Sequence, residues 1–286
     1  MHYLLGTVCE PSPSLGFNCS TWNIPHGDST LAKIVAIANQ KGGVGKTTTS
    51  INLSAALAIL GHSVLLVDLD PQANATSGMG IEQPKTTVYD CFTGRISISE
   101  AIISTKIKGL SMIPSSVDLV GVEVELTAAP NRERVLRDLL ENLGENFAWI
   151  VLDCPPALGL ITINALVAAH SVLVPVQCEY YAMEGLGWLM SNMDRIRESW
   201  NPLLELEGIV LTMYDSRINL ARQVSEEIRS FFREKVFRTV IPRNVSLAEA
   251  PSYGQPALVY NSASSGARAY MELAGELLNH GKTSTR

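Results

Sequence analysis

An apolar run, Ile34-Val35-Ala36-Ile37-Ala38, gives way to Lys41-Gly42-Gly43-Val44-Gly45-Lys46-Thr47-Thr48, and then to a stretch whose Ile51, Leu53, Ala55, Ala56 and Leu57 are apolar. The first run is short enough for a buried strand, and the later spacing suits a helix with one face against a sheet. Strand, glycine-rich turn and helix in immediate succession constrain the fold more than any other feature of the chain. They place a helix N-terminus at the edge of an α/β sheet. Glycines let successive backbone N–H groups converge on one point with no Cβ in the way. The helix N-terminus adds partial positive charge there, which makes the turn a cradle for phosphate. Lys46 stands where it can neutralise β- and γ-phosphates, and the Thr47 hydroxyl where it can ligate Mg²⁺.

Two further apolar runs end in carboxylates. Val64-Leu65-Leu66-Val67 leads into Asp68-Leu69-Asp70-Pro71-Gln72, and Trp149-Ile150-Val151-Leu152 leads into Asp153-Cys154-Pro155-Pro156. Acids at the C-terminal ends of strands lie along the sheet edge where α/β folds bind ligands. Each string alone also fits an ordinary turn after a buried strand. Behind a phosphate cradle, Asp153 reads as the carboxylate that holds Mg²⁺ through water.

Elsewhere strands and helices alternate, which implies one α/β domain with a mainly parallel, twisted sheet and helices on both faces. Strands are expected at 34–39, 63–68, 110–113, 148–153, 171–176, 208–213 and 237–241. Helices are expected at 46–60, 97–104, 117–128, 131–143, 160–169, 183–200, 219–233 and 265–279. The chain has 286 residues, 46% hydrophobic and 17% charged, enough for a sizeable core. Residues 1–31 contain no Lys or Arg and are rich in Pro, Gly, Ser and Thr. They fit no targeting signal and read as a disordered extension, with a partner-binding tail as the alternative. Residues 32–280 form the expected domain and 281–286 a polar tail. The five cysteines are scattered without a C-x-x-C pair, which excludes a disulfide framework or zinc site and suits a reducing cytoplasm. No run reaches the ~18 apolar residues of a membrane span. A net charge of −6 argues against nucleic-acid binding over the whole surface, though 195–243 carries nine Lys/Arg against seven Asp/Glu.

The usual G-x-x-x-x-G-K-[ST] spacing is not met, because Gln40 occupies the first-glycine position and a second lysine, Lys41, stands at the loop entrance. K-G-G-x-G-K-T is the deviant Walker A pattern, and with it the chain resembles the MinD/ParA superfamily of P-loop NTPases. Asp68–Thr76 is similar to that family's switch I, and Asp153-Cys154-Pro155-Pro156-Ala157-Leu158-Gly159 to its switch II. The segments Val174–Gly185, Thr212-Met213-Tyr214-Asp215-Ser216-Arg217 and Ile241–Ser252 resemble the ParA/Soj partition ATPases over roughly residues 33 to 280.

The resemblance implies that ATP and Mg²⁺ are bound by Lys41 through Thr48, and that Lys41 reaches the nucleotide of the partner subunit. It implies that Asp70 positions the attacking water, that Asp68 supports the lysine and magnesium network, and that Lys46 and Lys41 assist catalysis. Thr47, Asp70 and Asp153 form the implied Mg²⁺ site. Met213 and Pro242 are suited to packing on adenine, with polar contacts from Arg243 and Asn244. It further implies an ATP-bound homodimer that binds double-stranded DNA non-specifically, through Arg217 and with Arg222 as a further candidate, in a nucleoid-associated cytoplasmic protein. A ParB/Spo-type centromere-binding partner would stimulate its slow hydrolysis. Ser246 replaces a second DNA-contacting arginine of the family, which weakens that part of the expectation. Two alternatives are a MinD-like membrane-associated switch for cell-division site placement, disfavoured by Glu272 and Glu276 on the C-terminal helix, and a nucleotide-sensing scaffold that does not hydrolyse. No membrane is expected as a partner.

Overall fold

The computed structural model describes residues 32–141, 143 and 146–283. The expected extension at 1–31 and residues 284–286 of the expected tail lie outside the described residues. Eight strands form a single sheet: β1 Lys33–Ile37, β2 Val64–Asp68, β3 Ile103–Ser104, β4 Leu110–Ile113, β5 Trp149–Asp153, β6 Ser171–Gln177, β7 Glu205–Tyr214 and β8 Val236–Pro242. Their spatial order is β3-β4-β2-β5-β1-β6-β7-β8. Every pairing is parallel except the antiparallel edge pair β3–β4.

Side-chain alternation along the strands builds a core on each face. Val35 and Ile37 of β1 join one core, beneath the helices Lys46–Ile59 and Ser265–Thr283. Ala36 of β1 joins the other, beneath Leu160–Ala168, Ala182–Ser199 and Asn219–Phe232. All five residues of β2 and of β5 are buried, as expected of strands covered on both sides.

The topology determines where chemistry can sit. From β1 the chain builds toward β2 and then returns across β1 to β6, so the turn after β1 lies at the switch in strand order. β5 lies between β1 and β2, with Asp153 opposite both Ile37 and Asp68. The glycine turn and both acid-terminated strands therefore converge on one edge.

Three expected helices differ in detail. The segment 97–104 contains only a 3₁₀ turn, Ile98–Ala101, and then enters β3. A capping box between Ser97 and Glu100 starts that turn, and antiparallel pairing with β4 ends it. The segment 117–128 is 3₁₀ over Val117–Gly121 and α-helical only over Val122–Glu125, and 131–143 becomes helical at Val135–Glu141 after a 3₁₀ turn. Short helices at Asn74–Gly78, Val88–Phe92, Val245–Glu249 and Ala257–Tyr260 went unanticipated, because one turn is too short for periodicity to register. The last helix continues to Thr283, into the first residues of the expected tail.

Candidate functional site

A cavity of about 540 Å³ opens at the C-terminal edge of the central strands, lined among others by Gly42, Gly43, Gly45, Lys46, Thr47 and Thr48. Gly43 and Gly45 have φ of 72° and 86°, left-handed values that an L side chain adopts only with strain. A Cβ on Gly42 or Gly43 would meet nothing within 4 Å, so the backbone there faces open space. Val44 does the opposite: its side chain is buried, and its carbonyl accepts the Thr212 hydroxyl at 2.8 Å. Asn39 anchors the loop entrance, accepting the Lys41 N–H at 3.0 Å and donating to the Pro175 carbonyl at 2.8 Å.

The two lysines diverge. Lys46 is buried and lies across the loop, its Nζ 3.2 Å from the Lys41 carbonyl. Burial pulls it below the usual lysine value, with Asp153 and Asp70 opposing that shift. Lys41 does not line the cavity; its ammonium is paired with the Glu179 carboxylate, just after β6.

Three carboxylates gather beneath the cradle, each in a different setting. Asp68 accepts the Thr76 N–H and hydroxyl at 2.8 and 2.7 Å and the Asp70 N–H at 3.1 Å. It thereby folds the loop that carries Asp70, rather than contacting Lys46 directly. Asp70 lines the cavity and accepts the Gln72 N–H at 2.9 Å. Asp153 is fully buried; one oxygen accepts the Ser50 hydroxyl at 2.7 Å, the Thr47 hydroxyl also favours its charged form, and Oδ2 makes no close hydrogen bond. Burial first, offset by these hydrogen bonds, pushes the Asp68 carboxyl up to about 6. Asp153 is raised further, by burial and then by repulsion from Asp68.

An orphaned buried oxygen beside clustered carboxylates fits a cation with its hydration shell. Among the described residues no cluster of three or more His, Cys, Asp and Glu side chains could hold a metal. Mg²⁺ shared with nucleotide phosphates needs only one or two protein oxygens, and Thr47 and Asp153 suit it.

Met213, Pro242, Arg243 and Asn244 line the far side of the cavity, where β7 and β8 end. Met213 has φ 49°, unusual for a side-chain-bearing residue. The Asn244 amide is committed locally: its oxygen caps Val245–Glu249 through the Leu247 N–H, and its nitrogen donates to Ser265. Arg217 and Arg222 lie outside the cavity. The Arg217 side chain is 87% exposed, yet it is gripped by Asp215 through Nε at 2.9 Å and Nη2 at 2.6 Å. Ser246 is buried and accepts from Asn261, so it presents no contact to a large partner. Ser50, Thr76, Thr212 and Glu179 were missed by sequence reasoning. Only Ser50, one helical turn beyond Lys46 and on its face, left a readable signal.

A protein-family profile described as "AAA domain" matches residues 32–206. The sporulation initiation inhibitor protein Soj of Bacillus subtilis is 50% identical over 253 residues, covering 88% of this chain and 100% of that protein. The chain belongs to the ParA/Soj family of partitioning ATPases. The chromosome partitioning protein ParA of Myxococcus xanthus is 49% identical, with 88% of this chain and 90% of that one covered. Among solved structures, cobyrinic acid a,c-diamide synthase of Mycobacterium smegmatis, crystallised with an ATP analog and magnesium, superposes with a TM-score of 0.77. It is 36% identical, and the match covers 88% of this chain and 97% of that one. The higher identity to Soj and ParA over nearly their whole length places this ParA/Soj-type ATPase with the partitioning proteins.

Proposed function

We propose that this ATPase works as a nucleotide-gated dimer that binds DNA non-specifically and is released by slow, partner-stimulated hydrolysis. The carrying observation is the divergence of the lysines: Lys46 lines its own cavity, while Lys41 lies outside it, paired with Glu179. A cation of that position, absent from its own cradle, is suited to the phosphates of a facing subunit.

In this reading the loop Gly42–Thr48 binds the triphosphate through backbone N–H groups, and Lys46 neutralises its outer phosphates. Mg²⁺, when bound, offsets charge between those phosphates. Thr47 and Asp153 would hold it there. Asp70, held by its Gln72 contact at the cavity wall, orients the attacking water, which is most of what a loose phosphoryl-transfer transition state requires. Met213 and Pro242 pack on the base. Arg217 supplies the exposed cation for DNA, and Arg222 on the helix Asn219–Phe232 is a further candidate. A ParB-type partner and a nucleoid location follow from the partitioning role.

One observation speaks against a membrane-associated switch. The C-terminal helix buries Ala267, Tyr270, Leu273, Ala274 and Leu277 in the core, which leaves its described side chains no spare apolar face.

The testing experiment measures retention on non-specific DNA with ADP, ATP and a slowly hydrolysed analogue at low and high salt. ATP-dependent, salt-sensitive retention is expected. Equal retention with ADP and ATP would overturn the nucleotide-gated reading.

A further inference from the structure

The loop that follows Asp153 runs Cys154-Pro155-Pro156-Ala157-Leu158-Gly159 and then enters the helix Leu160–Ala168. Its start is tied to the sheet, where the Cys154 N–H donates to the Ile37 carbonyl at 3.2 Å. Pro156 reaches the nucleotide cavity. Its far end depends on where the helix begins. That helix has no cap of its own: Gly159 stands at the N-cap and offers no side chain.

The missing acceptor comes from another segment. Glu123, in the short helix Val122–Glu125, accepts the Leu160 N–H through Oε1 at 3.1 Å. A carboxylate at a helix N-terminus gains from both the hydrogen bond and the helix dipole. One turn further on, buried Asn164 accepts the Leu136 N–H at 3.0 Å and donates to the Arg132 carbonyl at 2.8 Å. The segment from Glu123 to Leu136 thus clamps this helix at two successive points.

The same contact explains Gly159. A Cβ there would lie 2.1 Å from Glu123 Oε1, and no other residue's atoms are among its nearest contacts. Gly159 has φ −88° and ψ −173°, an extended conformation open to alanine. An alanine here would displace the Glu123 carboxylate rather than strain the backbone.

We infer that Glu123 is a positioning residue for ATP hydrolysis, acting through the N-terminus of Leu160–Ala168 to place the Asp153–Gly159 loop beside the nucleotide. The inference rests on the assignment of that loop to the hydrolytic site. Because Glu123 is exposed and contacts neither nucleotide cradle nor adenine side, its loss should slow turnover and leave nucleotide affinity alone.

The test compares full-length Glu123→Ala, Glu123→Gln, Gly159→Ala and the Glu123→Ala/Gly159→Ala double variant, each confirmed folded by thermal melting. Glu123→Ala and Gly159→Ala should each lower kcat roughly fivefold, the factor of a typical lost N-cap. KM for ATP and affinity for ADP should be unchanged. The double variant should lose no more than the worse single one, since both remove one contact. Glu123→Gln keeps an acceptor oxygen and should restore most of the rate. A loss of less than about twofold in Glu123→Ala, below the usual range for a cap, refutes the role, as do losses that multiply or a KM that moves with kcat. Asp153→Asn runs in parallel. Full activity there defeats the loop assignment and this inference together, whereas inactivity there beside an unaffected Glu123→Ala defeats the inference alone.

Discussion

Glu179→Gln is the most direct probe of the divided lysines. The Lys41–Glu179 pair is partly solvated, with side-chain exposures of 38% and 46%. An exposed ion pair contributes about 0.2–1 kcal/mol. If Lys41 must leave Glu179 to reach a facing nucleotide, a symmetric dimer breaks two such pairs. The restraint on dimerisation is then ~0.4–2 kcal/mol, and removing it tightens the dimer by about 2- to 30-fold. Glutamine keeps the shape and removes the charge, so packing around Tyr180 and Tyr181 is undisturbed. Sedimentation velocity of wild type, Glu179→Gln and Lys41→Ala, with a slowly hydrolysed ATP analogue across a protein dilution series, reads the dissociation constants. The expected order is Glu179→Gln tightest, wild type next, and Lys41→Ala monomeric although it still binds nucleotide. A Glu179→Gln dimer no tighter than wild type, or a dimer persisting in Lys41→Ala, would refute the reasoning.

Asp70→Ala should abolish turnover while nucleotide still binds, measured as phosphate release beside fluorescent-nucleotide titration; equal turnover in wild type and variant removes Asp70 from the mechanism. Asp215→Asn should increase DNA retention and extend it to higher salt, because the Asp215 carboxyl, held down to about 2 by its hydrogen bonds to Arg217, competes with DNA phosphate for that side chain. Arg217→Glu should do the reverse and reduce the log–log salt slope by about 1; unchanged retention in both variants moves DNA contact elsewhere. Burial raises the Asp68 and Asp153 carboxyls above their unfolded values, so the stability they contribute when protonated is lost as pH climbs through the Asp68 value of about 6. Mg²⁺ with ADP offsets that ionised charge, and should raise Tm more at about pH 8 than at about pH 5; an equal gain at both would show that these carboxylates do not sense the cation.

The cradle was legible because its physics is local. Backbone N–H convergence needs Gly43 and Gly45 at fixed offsets from Lys46, and the preceding strand and following helix announce themselves by period. Asp153 was legible for a related reason, since it ends a buried strand behind the cradle; Asp70 lies two residues past the end of β2, and only the family resemblance pointed to it. The two-residue strand β3 was not legible, because its pairing with β4 is a tertiary event that overrode the apparent helix over 97–104. Asp68 was read as support for lysine and metal, whereas its oxygens are spent on Thr76 and the Asp70 backbone. Nothing in the spacing of residues eight apart could announce that bond. Asn244 likewise reads as a free amide until the fold engages it as a helix cap.

From the residues alone, the chain was determined to be a parallel α/β protein with a phosphate cradle, a second lysine at its entrance, and acids after two apolar strands. Each of those properties is carried by contiguous residues. The tertiary structure decided where Lys41 points, which oxygen of Asp153 lacks a partner, that Asp215 grips Arg217, and that Glu123 reaches the Leu160 N–H from a distant segment. Apart from the Asp215 grip, these depend on residues 37 to 138 positions apart brought within hydrogen-bond range. Local propensity sets which element forms; only packing sets which side chains from separate elements share an electrostatic site.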